Sequence, residues 1–235
     1  VALADKLEAI VGIWGIGLIP TGDKDPYALR RAALGVVRML MQYPVSLPAL
    51  VQDAFDSFPA GKLAATTVAE VTDFMYARLA VLLQADYAQD VVAAVLAHRP
   101  ADLHDITARL EAVSEFKALP EAAALAAANK RVHNLLKKTD GELGAVNPAL
   151  LQEDAEKALF AATEGLQAAI QTAMAAQNFQ AALSQLATLR APVDAFFDGV
   201  MVMADDAALK QNRLNLLNQL NLQLNAVADI ALLND

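Results

Sequence analysis

Residues 206–227 read DAALKQNRLNLLNQLNLQLNAV, and the spacing of the apolar residues in this stretch decides the fold class. Leucine recurs at intervals of three, four and seven residues, which places these side chains along one face of an α-helix. Asp205 or Asp206 precedes the first leucine, and aspartate is a favourable N-cap residue. The pattern therefore predicts an amphipathic helix that starts here and continues to about residue 233. Its apolar stripe consists of Leu209, Leu216, Leu217, Leu220, Leu224 and Val227.

The rest of the chain has a similar helical character. Hydrophobic residues make up 56% of the 235 residues, and there are only 10 Gly and 9 Pro. Alternating β-branched segments are almost absent, and this composition is typical of an all-α protein. The length suits one large domain or two small ones. We expect two packed helical subdomains, residues 1–117 and residues 118–235.

Composition excludes several classes of site. The chain has no Cys, so a disulfide framework, a thiolate metal site and a thiol nucleophile are excluded. His98, His104 and His133 do not have the spacing of metal ligands, and no metal site is expected. With 18 Lys and Arg against 27 Asp and Glu, the formal net charge is −9.

The longest uncharged segment, residues 165–189, is long enough to cross a bilayer, but it contains six amide side chains. Because amides are costly in hydrocarbon, we interpret the segment as a helix pair outside a membrane. The chain starts without Met and without an N-cap before its first helix, which favours a piece of a longer protein. The amides are Gln167, Gln171, Gln177, Asn178, Gln180 and Gln185.

Three helix boundaries can be predicted from local signals. Residues 2–11 are expected to form a short helix, followed by an apolar, glycine-rich loop over residues 12–22. The glycines of this loop lack dinucleotide-binding spacing, so phosphate binding there is not expected. Asp25 and Pro26 are typical of an N-cap and a first helical position. Asn147 and Pro148 give the same signal for a long helix that ends near residue 176.

A cluster of cations follows residue 129 in the sequence NKRVHNLLKK, residues 129–138. At 100° per residue the basic residues share one arc of a helix, and the apolar residues share the opposite arc. The basic arc could bind phosphates or reach polar base edges. Alternatively, it is a solvated face whose cations compensate the helix dipole. The candidate tRNA-binding residues of this arc are Lys130, Arg131, Asn134, Lys137 and Lys138.

Arg213 lies in the middle of the apolar stripe of the last helix, and a buried arginine requires a partner. Asp194 and Asp198 are spaced i, i+4 and therefore share a helix face. Two such carboxylates could work as an acid and a base, but an ion pair is favoured. We predict that Arg213 pairs with Asp194 or Asp198 in a structural role, and no catalytic residue is expected in this chain.

Several long stretches resemble one known family. LADKLEAIVG at residues 3–12 and PTGDKDPYALRRAA at residues 20–33 resemble the beta subunit of bacterial glycyl-tRNA synthetase. So do AANKRV at residues 127–132 and PVDAFFDGVMVM at residues 192–203, followed by NRL at residues 212–214. The resemblance preserves the order of these motifs and covers essentially the whole chain, which corresponds to the C-terminal portion of that subunit.

The resemblance implies a cytoplasmic glycine–tRNA ligase with two alpha and two beta subunits. The alpha subunit is expected to carry the aminoacylation site, with ATP and magnesium, so this chain needs no cofactor. Residues 118–235 resemble a DALR-type anticodon-binding helical bundle. Residues 1–117 resemble the end of an HD-like helical domain, in which Asp5 matches a late metal ligand. The other ligands lie outside this chain, so neither a complete metal site nor metal-dependent phosphohydrolase activity is expected.

The expected partners are glycine tRNA and the alpha subunit, with no membrane and no DNA. The net charge of −9 opposes general phosphate binding, so tRNA contact must come from local groups. Alternatively, the chain is a helical scaffold that docks the alpha subunit. Besides the basic arc within residues 129–138, charge placement suggests Arg190 as a second tRNA-binding candidate. It also suggests contacts elsewhere by Lys24, Arg31 and Arg38.

Overall fold

The computed structural model describes residues 1–139 and 141–234. Within these residues all elements of regular secondary structure are helices, apart from two isolated β-bridges. The predicted all-α class is therefore confirmed. None of the helices in this described part combines the length and apolar character that crossing a bilayer requires.

The α-helices follow one another through the chain, separated by loops of varied length. In the first part they are α1 (Ala2–Gly15), α2 (Leu29–Leu40), α3 (Leu47–Asp56), α4 (Thr67–Leu83), α5 (Gln89–Leu96) and α6 (Ile106–Lys117). In the second part they are α7 (Ala122–Leu136), α8 (Asp154–Ala175), α9 (Phe179–Ala187), α10 (Arg190–Gly199) and α11 (Ala207–Leu224). Short 3₁₀ turns occupy Pro148–Leu150 and Ile230–Leu232.

The chain divides into two compact units. One comprises Val1–Val92 with Arg99–Thr107, and the other comprises Ala93–His98 with Ala108–Asp235. The division therefore falls at the start of α6, whereas the sequence placed it after residue 117. Residues 93–98 also join the second unit, because Asp229 N–H donates to the carbonyl of Ala94 at 2.9 Å.

In the first unit, α1 to α4 pack against one another around an apolar core. Tyr76 of α4 donates from its hydroxyl to the carbonyl of Pro100 at 2.8 Å, which holds the returning segment 99–107 on this helix. The core side chains with no solvent exposure include Ile10, Val11, Val36, Leu40, Val51 and Leu79.

Helix α1 is longer than predicted and includes two glycines that the sequence placed in a loop. A Cβ atom on Gly12 would lie 2.7 Å from the ring of Phe58, and one on Gly15 would lie 2.8 Å from Cβ of Leu63. Glycine is required here because these neighbours approach the helix backbone closely. Local sequence signals cannot show this, because the neighbours lie about fifty residues away.

Helix α2 starts later than the predicted N-cap. Its first residue is Leu29, and Ala28 precedes it in the left-handed region at φ 55°. Asp25 nevertheless caps the helix, because its carboxylate accepts hydrogen bonds from the N–H groups of Leu29 and Arg30 at 2.8 and 2.9 Å.

In the second unit, α8 packs against α9, α10 and α11, and α7 packs against α10 and α11. Asp206 caps α11 as predicted, accepting from the N–H of Ala208 at 2.8 Å. The helix ends at Leu224, earlier than predicted. The unexposed core side chains include Leu125, Val132, Leu159, Leu186, Phe196, Leu216, Leu217 and Leu220.

The start of α8 also differs from the prediction. Asn147 caps the short 3₁₀ turn, accepting from the N–H of Ala149 at 3.1 Å, and the chain then continues in extended conformation. Helix α8 begins at Asp154, where Glu153 and Glu156 form a reciprocal capping box. The box satisfies the backbone N–H groups of Glu153 and Glu156, which favours a helix start at this point.

Candidate nucleic-acid interface

Five candidates form what we call the α7 basic cluster, which occupies the last turns of α7 and the residues that follow: Lys130, Arg131, Asn134, Lys137 and Lys138. All five of its side chains are exposed. Val132, on the opposite arc of the helix, has no solvent exposure. The predicted division between a charged arc and a core arc is therefore present, and the surface is accessible to a partner. Whether these side chains bind RNA stays a prediction.

An amide network anchors the helix behind this surface. Asn129 has no solvent exposure, and its Nδ2 donates to Oδ1 of Asn225 at 2.8 Å. Asn225 Nδ2 in turn donates to the carbonyl of Asn221 at 2.8 Å and lies 3.3 Å from Nε2 of His133. Because buried amides are costly when unsatisfied, this network stabilises the packing of α7 on α11.

Arg131 differs from the lysines of the cluster because its guanidinium already has an aromatic partner. The guanidinium carbon lies 4.3 Å from the centre of the Phe197 ring on α10. This distance is within the range of a cation–π contact. The contact limits the freedom of Arg131, and the residue as a whole is exposed to solvent.

Arg190 lies at the other end of α7. Its Nη1 donates to the carbonyl of Pro120 at 3.2 Å, and its Nε lies 3.6 Å from Oδ2 of Asp194. Pro120 precedes Lys130 by about three helical turns, or roughly 15 Å along the axis. The structure therefore does not bring Arg190 into the α7 basic cluster.

The remaining cationic candidates lie in the first compact unit. Lys24, Arg31 and Arg38 are all exposed. Arg31 and Arg38 are one heptad apart on α2, so they project from nearly the same face of that helix. Lys24 belongs to a tight turn in which its N–H donates to the carbonyl of Thr21 at 2.8 Å.

The predicted partner of Arg213 is wrong. Arg213 is buried, but its Nε donates to Oε1 of Glu156 at 2.6 Å, and its Nη1 donates to the carbonyl of Met201 at 2.9 Å. Asp194 lies instead against Arg190, and Asp198 is exposed. The prediction considered acids close to Arg213 in the sequence, whereas packing of α8 on α11 supplies one from 57 residues away.

Glu156 is held in its charged form by several donors. Its Oε2 accepts from the N–H groups of Gln152 and Glu153 at 2.9 and 2.8 Å. Burial raises the pKa of Glu156. The hydrogen bonds from Arg213 and from these two backbone N–H groups together lower it by more than burial raises it, so the net pKa is below its ordinary value. A sequence signal existed, because Glu156 shares the buried stripe of α8 with Leu159, Thr163 and Ile170.

The sequence prediction also missed a groove in the second unit. The groove has a volume of about 570 Å³ and lies along α8 and α11, beside residues 144–145. Gln167 and Gln171, which the sequence marked only as obstacles to a membrane span, line this groove. Among the residues that the structure describes, no group of three or more His, Asp or Glu side chains is arranged to hold a metal ion.

Comparison with known protein families indicates the class of domain that the second unit contains. Residues 125–230 match the DALR anticodon binding domain. This segment lies within the second unit and contains the α7 basic cluster, so the unit belongs to the class of helical anticodon-binding domains. Residues 1–97 match the glycyl-tRNA synthetase beta subunit.

The chain belongs to the glycyl-tRNA synthetase beta-subunit family, as its motifs indicated. It is 71% identical over all 235 residues to the glycine–tRNA ligase beta subunit of Neisseria meningitidis serogroup C. The beta subunits of Ralstonia nicotianae and Vibrio cholerae are each 54% identical over 98% and 99% of this chain. In each case the chain spans about a third, 34%, of the relative's length.

Proposed function

We propose that this chain is the tRNA-binding, anticodon-recognising C-terminal part of the beta subunit of a glycine–tRNA ligase. The whole ligase attaches glycine to its tRNA with ATP. This chain positions the tRNA and has no aminoacylation site of its own. The alpha subunit supplies that site with ATP and magnesium, in an assembly of two alpha and two beta subunits.

The observation that carries the proposal is the match of residues 125–230 to an anticodon-binding domain. The unit that contains this segment presents an exposed cationic surface on an otherwise acidic chain. Local cations can neutralise phosphates even where the net charge is negative, because screening limits repulsion from distant acids to about 8–10 Å. Tight placement of the tRNA at this site lowers the entropic barrier at a remote active centre.

The proposal is tested by reversing two charges of the α7 basic cluster in the full beta subunit assembled with the alpha subunit. The Lys130→Glu/Lys137→Glu variant should bind glycine tRNA roughly tenfold or more weakly at 0.1 M salt. If each lysine neutralises one phosphate of an unpaired loop, the slope of log K against log salt should become shallower by about 1.4.

A matched control separates this local effect from net charge. Lys62 and Lys157 are also exposed, so Lys62→Glu/Lys157→Glu changes the net charge by the same amount outside the cluster. The control should retain most of the affinity and the full salt slope. Equal losses in the two variants, or unchanged binding of the cluster variant, would exclude the α7 basic cluster from the interface.

A second function, docking of the alpha subunit, is favoured by an exposed apolar segment in the first unit. Ile16, Leu18 and Ile19 are 61%, 43% and 40% exposed. Adjacent exposed apolar side chains are typical of a protein interface. The Ile16→Ser/Leu18→Ser variant should then co-elute less with the alpha subunit in chromatography while it still binds tRNA. Undiminished co-elution would refute this second function for the segment.

A further inference from the structure

Six of the thirteen residues that line the groove between α8 and α11 carry uncharged amides. Some of them are already committed to the protein. Asn215 accepts from the N–H of Gly144 at 3.0 Å and donates to the carbonyl of Ala145 at 3.1 Å, so it holds the loop at the groove edge. Gln219 donates to Glu164 and Thr163 of α8. Both residues line the groove.

Other amides of the groove have unused hydrogen-bonding groups. Within the described residues, the side chains of Gln167, Gln171 and Asn218 have no protein hydrogen-bond partner, although all three line the groove. Gln167 and Gln171 are exposed and stand one turn apart on α8. Each free amide offers two donor hydrogens and a carbonyl acceptor to a ligand.

Gln223 adds a buried acceptor that lacks a donor. The side chain is 9% exposed, and its Nε2 donates to the carbonyl of Thr163 at 2.8 Å. Its Oε1 is buried and accepts no hydrogen bond from any described residue. A buried carbonyl oxygen without a donor is unfavourable, so a ligand that brings an N–H group to it would be favoured.

The charges of the groove limit what part of a ligand can enter it. No Lys or Arg is among its lining residues, and Glu164 stands at its edge. A phosphate would be repelled by this carboxylate and would find no cation. Ile170, Met174 and Leu222 contribute apolar surface beside the amides. The groove therefore suits a flat, uncharged group with polar edges.

We infer that this groove takes one unstacked nucleobase of the tRNA and reads its edge with Gln167, Gln171, Asn218 and Gln223. This inference rests on the proposed function, because it requires that RNA reaches the second unit. The base would lie against the apolar surface of Met174 and Leu222, and an N–H group on its edge would donate to Gln223 Oε1. Extruded bases recognised through their edges and faces are a common mode of sequence-specific RNA recognition.

We expect the α7 basic cluster to contact phosphates and the groove to take a base, and α11 links the two features. Asn221 and Asn225 of α11 hydrogen-bond within the network that anchors α7, whereas their neighbours Leu222 and Ala226 line the groove. Helix α11 therefore carries residues of the groove and also residues that anchor α7. A short unpaired segment could place its phosphates on the cluster and one base in the groove.

The test uses the assembled alpha and beta subunits with glycine tRNA transcripts that carry single substitutions at each unpaired anticodon-loop position. Gln167→Ala/Gln171→Ala should weaken binding of the unsubstituted transcript about 5- to 30-fold, from two lost hydrogen bonds. The salt slope should not change, because amides release no counterions. Gln152→Ala/Gln185→Ala, which removes two exposed glutamines outside the groove, is the matched control and should bind normally.

The base-reading role is tested by discrimination among transcripts. The wild type should bind one substituted transcript more weakly than the others, and the groove variant should lose this difference. Gln223→Met, which removes the buried acceptor, should also lose it. The groove variant Gln167→Ala/Gln171→Ala and its control change only exposed side chains. Both should therefore keep the wild-type melting temperature, so a folding defect cannot account for the result.

Three outcomes would overturn the inference. Discrimination that persists in the groove variant, or a groove variant that binds tRNA normally, excludes base reading here. Groove variants that weaken assembly with the alpha subunit but not tRNA binding would assign the groove to a protein partner. If tRNA binding depends on the α7 basic cluster but not on the groove, only this inference fails. Loss of the cluster dependence would instead refute the proposed function.

Discussion

The buried ion pair between Arg213 and Glu156 yields the sharpest stability prediction. Replacing Arg213 with Met keeps the side-chain volume similar but removes the cation that neutralises Glu156. The carboxylate has no solvent exposure and would retain only its two backbone donors. The carbonyl of Met201 would also lose the donor that lies 2.9 Å away.

The expected cost follows from these contacts. Removal of one partner from a buried ion pair typically costs about 3–5 kcal/mol, because it leaves a charge buried without compensation. For a chain of this length, that loss lowers the melting temperature by roughly 6–20 °C. Arg213→Lys should recover part of the loss, because ammonium keeps the charge but cannot span both Glu156 and Met201 as guanidinium does.

The assay is urea unfolding followed by far-UV circular dichroism, together with calorimetry. The double variant Arg213→Met/Glu156→Gln should recover much of the stability, because the neutral amide can still accept from the backbone without a buried charge. Arg190→Met is the control, since its contact with Asp194 is exposed and should be worth at most about 1 kcal/mol. A loss below about 1 kcal/mol in Arg213→Met, equal to the control, would refute the reasoning.

Three further changes give clear expectations. The folded-state pKa of Glu156 lies below its ordinary value of 4.5, so the carboxylate stabilises the fold fully above pH 4.5 and loses this effect as the pH falls through the folded-state pKa. Glu156→Gln should therefore make the free energy of unfolding depend less on pH in this acidic range. An unchanged dependence on pH would contradict the prediction. Gly15→Ala should cost about 1–3 kcal/mol in thermal unfolding, because its Cβ would clash with Leu63, whereas Gly165→Ala, with open space around it, should stabilise α8 by about 0.5–1 kcal/mol; equal effects would refute the packing argument. Asn129→Ala should cost about 1–3 kcal/mol in urea unfolding, and a neutral result would mean that the amide network does not anchor α7.

The candidate interface was predictable to the extent that it depends on helical periodicity. The sequence placed Lys130 and its neighbours opposite Val132, and that arrangement needs only the geometry of one helix. The groove was not predictable in this way, because its amides come from α8 and α11. In the sequence, the glutamines of α8 are ordinary polar positions. They become part of a groove only because α11 packs on α8, where Gln223 donates to the carbonyl of Thr163.

The sequence by itself determined the helical class, the family and the exposed arc of α7, because periodic apolar residues and long motifs are properties of neighbouring positions. Only the tertiary structure decided that Glu156 neutralises Arg213, that α1 continues through Gly15, and that an amide groove exists. Each of these depends on which distant segments approach closely. Burial then selects the partner, since a charge or a polar group excluded from water must be satisfied by whatever packing places beside it.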